Sequence, residues 1–489
     1  MSAADLNVAS PVVAAILTAL AIILVDLVLP GRTGPALVTA LGGLLITAIV
    51  TLSVGSGDAA YAFGEMYHLD KLTTFLDLLF ISIVALTILF APDYLAPRGL
   101  PLAEFAAVLV FAMCGAMVIA ASADLLLLFI GLELMVLPGY LLAAYHKTDG
   151  YSTEGAIKYF LLGSFSSAIF LFGLAFVWGL SGSTNIGDVK DTLAQVTSGA
   201  MPFSPGLAMG LAFLTTGVAF KIAAVPFHYW TPDAYQGSPT PVTGYLSVGP
   251  KVGAFALILR LFVEALGPVK GDWLPVIVVL AAATMTLGNL VALTQDNVKR
   301  MLAYSSIAHT GYMLVGLAAF AGGQPSGISA LLFYGAAYAF MNLGAFAVIA
   351  ALQKRAGVTS QLSTFSGLIR KEPALTFLML LFLLSLVGIP PTAGFFGKVL
   401  IIQSAVQAGG WVGALAVLLV VNAAAAAFYY LRVVVYMFVR DPVSDAPALR
   451  HGVLLWGGLA AATVLTIVLG FFPGLILGMV GDAARAITG

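Results

Sequence analysis

Apolar stretches of about 20 residues alternate with short polar links along most of the chain. A helix needs roughly 20 apolar residues to cross a bilayer, so each stretch predicts a membrane span. The pattern predicts about fourteen: 10–29, 34–54, 73–95, 103–121, 123–145, 155–180, 206–235, 240–265, 274–295, 300–321, 328–352, 374–409, 411–439 and 452–480. Turn-forming links such as Leu29-Pro30-Gly31-Arg32 and Ala91-Pro92-Asp93 separate them. The longest links, 55–72, 181–205 and 353–373, are too short for a soluble domain and predict loops or surface helices. In the last, Leu362, Phe365, Leu368 and Ile369 share one helical face ahead of Arg370 and Lys371, which suits a short helix lying on the membrane. The run from Val12 to Leu29 lacks a basic leader and ends in Leu-Pro-Gly, so no cleavable signal peptide is expected.

Two of these segments are too long for one simple span. Residues 206–235 contain Pro226 and Pro232, and residues 374–409 contain Gly388-Ile389-Pro390-Pro391-Thr392-Ala393-Gly394. A proline inside a helix removes one backbone hydrogen bond and clashes with the preceding turn, so both segments are expected to break. They lie five spans apart and run in opposite directions, which is the trace of an inverted repeat with its transport site at the breaks. The competing reading is a pair of ordinary proline kinks in unrelated helices.

Composition agrees with an all-α integral membrane protein. Hydrophobic residues make up 61% of the 489 positions and charged residues 9%, with a mean hydropathy of +1.05, against about 25% charged in a soluble domain. With the N-terminus outside, the inner links hold eleven basic residues and the outer links only Lys71, Lys190, Lys270 and Arg485. Such a bias places both termini on the outer, periplasmic face. The net charge of −1 gives no sign of a nucleic-acid partner. The single cysteine, Cys114, cannot form an intrachain disulfide. There is no Walker A loop, Rossmann glycine motif or HExxH pair, so the chain is expected to bind no nucleotide, flavin, haem or metal.

The spans nonetheless contain ionisable residues: Lys158, Lys221, Lys251, Arg260, Lys398, Arg432, Glu133, His228 and His309. A charge at the bilayer centre costs at least about 2.5–3.5 kcal/mol. Glu133 lies in the apolar run Leu125–Leu137, about 15 Å or more from either end of the span 123–145, too deep to snorkel. It is a candidate for proton or ion handling, the alternative being a structural pair with a neighbouring helix. Lys221 precedes Pro226 by five residues and Lys398 follows Pro391 by seven, so a lysine stands beside each break; Lys251 follows Pro250 in mid-span. Apolar surroundings disfavour a charged ammonium and a nearby carboxylate restores it, so Glu133 and Lys221 are expected to form a switchable pair. A fixed ion pair or a contact to a helix C-terminus is the alternative for each lysine. Lys158 is near the inner surface and could simply snorkel. His228 and His309 suit a proton relay or an ordinary helix–helix hydrogen bond. Arg260 and Arg432 read as anchors or structural pairs. Tyr304, Ser305, Ser306 and Thr310 suit water binding or bridges between helices.

The run Phe220–Val242, with Lys221, Pro226-Phe227-His228-Tyr229-Trp230 and Gln236-Gly237-Ser238-Pro239-Thr240-Pro241, closely resembles the antiporter-like membrane subunits of respiratory complex I. So do Leu302–Tyr312 and Gly388–Lys398. The similarity runs over essentially the whole chain. It is greatest to the subunit N branch: the Gln236–Thr243 run before Leu246–Lys251, a lysine rather than glutamate at 398, and no long C-terminal lateral helix. The resemblance implies fourteen helices with the seventh and twelfth broken. It implies helices 1–3 in residues 1–102, one five-helix repeat in 103–265, its inverted partner in 266–440, and helix 14 in 441–489. It implies proton transfer through Glu133, Lys158, Lys221, Lys251 and Lys398, with His228 and His309 as added relay candidates from the residue reading. No cofactor is expected in this chain; NADH, FMN, iron–sulfur clusters and quinone are expected in partner subunits. Other membrane-arm subunits would flank it on both sides in a bacterial inner membrane, with lipids around it and no homo-oligomer. A subunit of a multi-subunit sodium/proton antiporter, or a free-standing secondary transporter, would share the same breaks and lysines. A purely structural module that inherited the channel residues is a third reading.

Overall fold

The computed structural model describes residues 2–355, 357–442 and 449–488. Helices α1 (Ala3–Val8), α2 (Ser10–Val28) and α3 (Thr33–Gly55) lead into an antiparallel hairpin of β1 (Ala60–Ala62) and β2 (Tyr67–Leu69), in which Tyr61 faces His68. Next come α4 (Lys71–Leu95), α5 (Leu102–Ala120), α6 (Leu125–Ala143), α7 (Gly150–Ser181) and the surface helix α8 (Ile186–Thr197). The chain continues through α9 (Pro205–Lys221), α10 (Trp230–Gly237) and α11 (Thr240–Ile258), the last extended by a π-helical turn over Leu259–Ala265. The remaining helices are α12 (Lys270–Ala292), α13 (Val298–Ala321), α14 (Ser326–Leu352), α15 (Pro373–Val387), α16 (Ala393–Ala408), α17 (Gly410–Val439), α18 (Val453–Phe471) and α19 (Gly474–Thr488).

Among the described residues, eleven helices are long and apolar enough to cross a membrane, while α9, α15 and α16 are apolar but shorter. Polar caps start many of them. Asp124 accepts from Leu126 N and Leu127 N at the head of α6, Asp149 from Tyr151 N at α7, and Asn297 from Arg300 N at α13. Each cap satisfies amides that have no partner inside the helix. α11 is buried on every side and α14 nearly so. With α13 they form the centre of the molecule, whereas α2, α3, α7, α12 and α17 turn apolar side chains outward.

Both expected breaks are present. Helix stops at Lys221 and resumes at Trp230, and stops at Val387 and resumes at Ala393. The freed backbone groups find partners, as buried amides and carbonyls must. Trp230 Nε1 donates to Phe220 O across the first break at 3.1 Å, and Val225 N donates to Thr284 Oγ1 of α12 at 3.0 Å. At the second break Gly394 N donates to Ser385 Oγ at 3.2 Å. A β-carbon on Gly394 would lie 1.9 Å from Ser385 O, so only glycine lets α16 start this close to the end of α15.

Three expectations need correction. Residues 55–72 hold the β-hairpin rather than a plain loop or helix. Its strands are three residues each, too short for period-two alternation to stand out. Residues 353–373 form two 3₁₀ turns, Leu362–Phe365 and Leu368–Arg370, rather than one membrane-surface helix. Leu362, Phe365 and Leu368 are buried against the protein, so their apolar face is already used. The stretch 452–480 is not one span. α18 ends at Phe471, Pro473 stops the helix, and α19 turns back to pack Val480, Ala483 and Ile487 inward against α4 and α14.

Candidate functional site

The three deep lysines each find neutral oxygens rather than carboxylates. Lys221, on the last turn of α9, donates to Ser167 Oγ of α7 at 2.8 Å and to Gly163 O at 3.3 Å. Lys251, in the middle of α11 and 1% exposed, donates to Ser306 O at 2.7 Å, Ser306 Oγ at 2.5 Å and Thr310 Oγ1 at 3.0 Å. Lys398, on the second turn of α16, donates to Leu386 O at 2.9 Å and Val387 O at 2.7 Å. Those carbonyls end α15, so the partial negative charge of a helix C-terminus faces the ammonium.

The break brings Lys221 and Lys251 towards one another. Thr310 Oγ1 donates to Ile222 O at 3.0 Å, directly after Lys221, while it accepts from Lys251. One hydroxyl on α13 therefore touches both the first break and the central lysine. Ala223, next in the chain, takes a left-handed conformation with φ of 57°, a strain concentrated at functional segments in proteins. One turn along α13 from Ser305, His309 lies between two phenols: Nδ1 is 2.6 Å from Tyr334 OH and Nε2 is 3.1 Å from Tyr430 OH. Tyr430 OH also bonds Ser305 Oγ. Tyr312 stands edge-on to His309 with ring centroids 5.4 Å apart, and Lys398 Nζ lies 5.2 Å over the Tyr312 ring. Lys221, Lys251, His309 and Lys398 are thus each surrounded by hydroxyls, carbonyls or aromatic rings of α7, α13, α14, α15 and α17.

Lys158 sits apart from these lysines. It bonds Asp233 Oδ2 and Glu154 Oε1, each at 2.7 Å, and Asp233 Oδ1 bonds Arg300 Nη1 at 2.6 Å. Its side chain is 43% exposed, so the cluster is half in contact with the surroundings. Glu133 makes no ion-pair contact: no cation lies within 4 Å of it among the described residues, and its Oε1 is buried without a hydrogen-bond partner. Glu133 is thus not in a fixed ion pair with Lys221 but lies within electrostatic reach of that lysine. The reason is local: Ser167 Oγ and Gly163 O occupy Lys221 from the α7 side. His228 is buried in the first break with Nδ1 unpartnered and its ring stacked on Tyr229 at 4.7 Å; no hydrogen bond joins its side chain to the lysine line among the described residues. Arg260 is paired, to Asp70 and Glu264, and Arg432 reaches Gln295 O and Asp296.

Several site residues escaped the sequence reading. Tyr312, Tyr334 and Tyr430 are aromatic positions in apolar runs and look like core. Asp233 directly follows Pro232 in a segment read as ordinary break. Lys299, counted among inner-link residues, is buried in the first turn of α13 and donates to Ser238 O at 2.5 Å. Asp77 is a lone carboxylate in the apolar run Leu72–Phe80, the same signal that singled out Glu133.

Gly388 ties the second break to its lysine. It caps α15 with φ of 92°, and a β-carbon there would lie 3.0 Å from Lys398 Cδ and 3.4 Å from Nζ. Gly388→Ala is expected to cost about 1–2 kcal/mol from the left-handed backbone alone and to displace the ammonium from the carbonyls. The midpoint of thermal unfolding of the purified protein in detergent checks this; an unchanged midpoint would show that the cap relaxes freely.

Comparison with known proteins places this geometry. Residues 122–422, which contain every lysine and histidine above, match the family model described as NADH:quinone oxidoreductase/Mrp antiporter, TM. A protein of Trichlorobacter lovleyi called NADH-quinone oxidoreductase subunit N is 38% identical over 99% of this chain and 98% of its own. One of Koribacter versatilis, called NADH-quinone oxidoreductase subunit N 1, is 42% identical over 98% of this chain and 95% of its own. A chain in the structure of respiratory complex I from Thermus thermophilus with bound aureothin superposes with a TM-score of 0.78 at 34% identity, over 96% of this chain and 98% of that one. A membrane-helix fold broken twice beside buried lysines, and similarity to these proteins along nearly its full length, lead to one assignment: the chain belongs to the NADH:quinone oxidoreductase/Mrp antiporter membrane family.

Proposed function

We propose that the chain is a proton-translocating membrane-arm subunit of an NADH:quinone oxidoreductase. The observation that carries this reading is Lys251. It is buried, bonded only to neutral oxygens, and linked through Thr310 to the backbone beside Lys221. A proton leaves such a lysine without breaking an ion pair. Protons enter from the cytoplasm past Lys158, Asp233 and Arg300, and Glu133 biases Lys221 by its charge. They pass by way of Lys251, Thr310 and Ser306 to His309, and leave near Lys398. Tyr334 and Tyr430 orient the imidazole and exchange protons with it. His228, outside this line, holds the first break.

On this reading the broken segments count as one span each, which with α13 and the eleven long helices gives fourteen spans. Residues 103–265 and 266–440 are the inverted five-helix repeats, flanked by helices 1–3 in 1–102 and helix 14 in 441–489. Both termini face the periplasm of a bacterial inner membrane. Neighbouring membrane subunits adjoin the chain on both sides, and NADH, FMN, iron–sulfur clusters and quinone belong to partners. The redox step takes place elsewhere; this chain contributes proton transfer to a translocase. The family description also covers Mrp antiporters, so a sodium/proton antiporter subunit is the second reading, but relatives named subunit N match nearly the whole chain.

Lys251→Met keeps the length of the side chain and removes the proton. In the assembled complex, reconstituted in vesicles, it is expected to lower NADH-driven proton pumping by about tenfold or more, the scale of a lost proton-transfer group. Wild-type pumping by an assembled variant overturns the reading. Pumping that requires sodium favours the antiporter alternative.

A further inference from the structure

A second group of ionisable side chains lies away from the lysine line, at the end of α4 that carries the hairpin. Asp70 caps α4, accepting from Thr73 N at 2.7 Å. Arg260, 1% exposed on the π-helical turn after α11, reaches Asp70 Oδ1 at 2.9 Å, Glu264 Oε1 at 2.8 Å, Thr73 Oγ1 at 2.9 Å and Ala120 O at 2.8 Å. His68 Nδ1 is 3.6 Å from Asp70 Oδ2, and the His68 ring stacks under the exposed Tyr61 at 4.2 Å. Two turns further along α4 is Asp77. It is wholly buried, and neither carboxyl oxygen has a hydrogen-bond partner among the described residues. The hydroxyl of Tyr67, 3% exposed on β2, is also unpartnered. Asp77 lies within electrostatic reach of Tyr67, Asp70, Arg260 and, on α5, Cys114.

An ionised carboxylate with no partner in an apolar interior costs several kcal/mol or more. Asp77 therefore rests as the neutral acid, a proton stored in the membrane. Asp70 and Arg260 pair at the same depth. Seven residues inward along α4 is about 10 Å, and the nine residues from Arg260 back to Lys251 along α11 are about 13 Å. Asp77 thus reaches within about a turn of the depth of Lys251. From there the acids become progressively less buried outward: Asp77 at 0%, the Asp70 side chain at 3%, the His68 side chain at 14%. The hairpin end is the periplasmic face in the orientation proposed above.

We propose that Asp77, Tyr67, Asp70 and His68 form an outward proton-release branch, with Asp77 as its proton-storing residue. Asp77 gives its proton towards Tyr67 and Asp70, His68 passes it to the periplasm, and Asp77 is reloaded from the membrane interior. Arg260 keeps Asp70 ionised through its charge and hydrogen bond, so that this outer carboxylate stays free to accept a proton. The branch rests on the proton-translocation reading and supplies it with an exit besides the one near Lys398.

The test uses the whole complex in vesicles, with quinone reduction and proton pumping read together. Asp77→Asn and Asp77→Leu remove the proton site, while Asp77→Glu keeps it. If Asp77 only fills space, removing an unpaired polar group is neutral or stabilising, and Asn and Leu variants pump as wild type; that result overturns the branch. The expected result is assembly with pumping reduced about tenfold in both, and recovery in Asp77→Glu. Tyr67→Phe removes one oxygen and is expected to slow pumping; a wild-type rate overturns the branch as drawn. Lys221→Ala in parallel separates the two proposals. Loss of pumping there beside wild-type pumping in Asp77→Asn leaves the lysine line and overturns the branch.

Discussion

Glu133→Gln and Lys221→Ala are expected to lower NADH-driven proton pumping by about tenfold or more while leaving the complex assembled. The two substitutions act differently. Lys221 loses hydrogen bonds to Ser167 and Gly163 on α7, so the proton site itself disappears. Glu133 loses only a charge, because its Oε1 makes no hydrogen bond, so the isosteric amide leaves packing intact and removes the bias on Lys221. Proton pumping in reconstituted vesicles, with subunit content measured on the same preparation, checks both. Normal pumping in assembled Lys221→Ala would remove this lysine from the route. Normal pumping in Glu133→Gln would show that the carboxylate's charge is not what sets the state of Lys221.

Arg260→Met is expected to destabilise the protein by about 3–5 kcal/mol, the cost of leaving buried charges without their partner. Asp70 and Glu264 both lose their cation, and Thr73 Oγ1 and Ala120 O lose a donor. This should be seen as a lower midpoint of thermal unfolding and less subunit in the membrane. The pH dependence carries a sign. Burial raises the affinity of Asp70 for a proton, but the Arg260 charge and hydrogen bonds outweigh it and hold the carboxyl below the ordinary carboxylate range. Its contribution is therefore present above that range and lost as pH falls through the lowered value. In Arg260→Met, burial is opposed only by the Thr73 hydrogen bond and His68, and acid relieves the charge left without its cation. The stability gap between wild type and variant should narrow as pH falls; a constant gap would show that Arg260 acts through packing alone.

The spans and both breaks were legible in the sequence because their causes are local. Twenty apolar residues must be a helix in lipid, and Pro226 or Pro390-Pro391 must interrupt it. Lys221, Lys251 and Lys398 were legible because a charge in such a run is costly wherever it points. Partners were not. Tyr334 and Tyr430 meet His309 from α14 and α17, a convergence set by how helices far apart in sequence pack. The α7 partners of Lys221, the Ser167 hydroxyl and the Gly163 carbonyl, were hidden for the same reason, since no spacing rule foresees them. The end of α18 at Phe471 was a local signal passed over, because Pro473 sits inside an otherwise apolar stretch.

Lys398 and its two backbone partners have a consequence for how this protein changes over time. Leu386 O and Val387 O are main-chain atoms, so every amino acid at those positions presents the same oxygens. No single codon change deletes that counter-charge. Lineages that need a different proton affinity at this end must replace the lysine itself or redraw the path of the chain, whereas the Lys158–Asp233–Arg300 cluster is open to adjustment one side chain at a time.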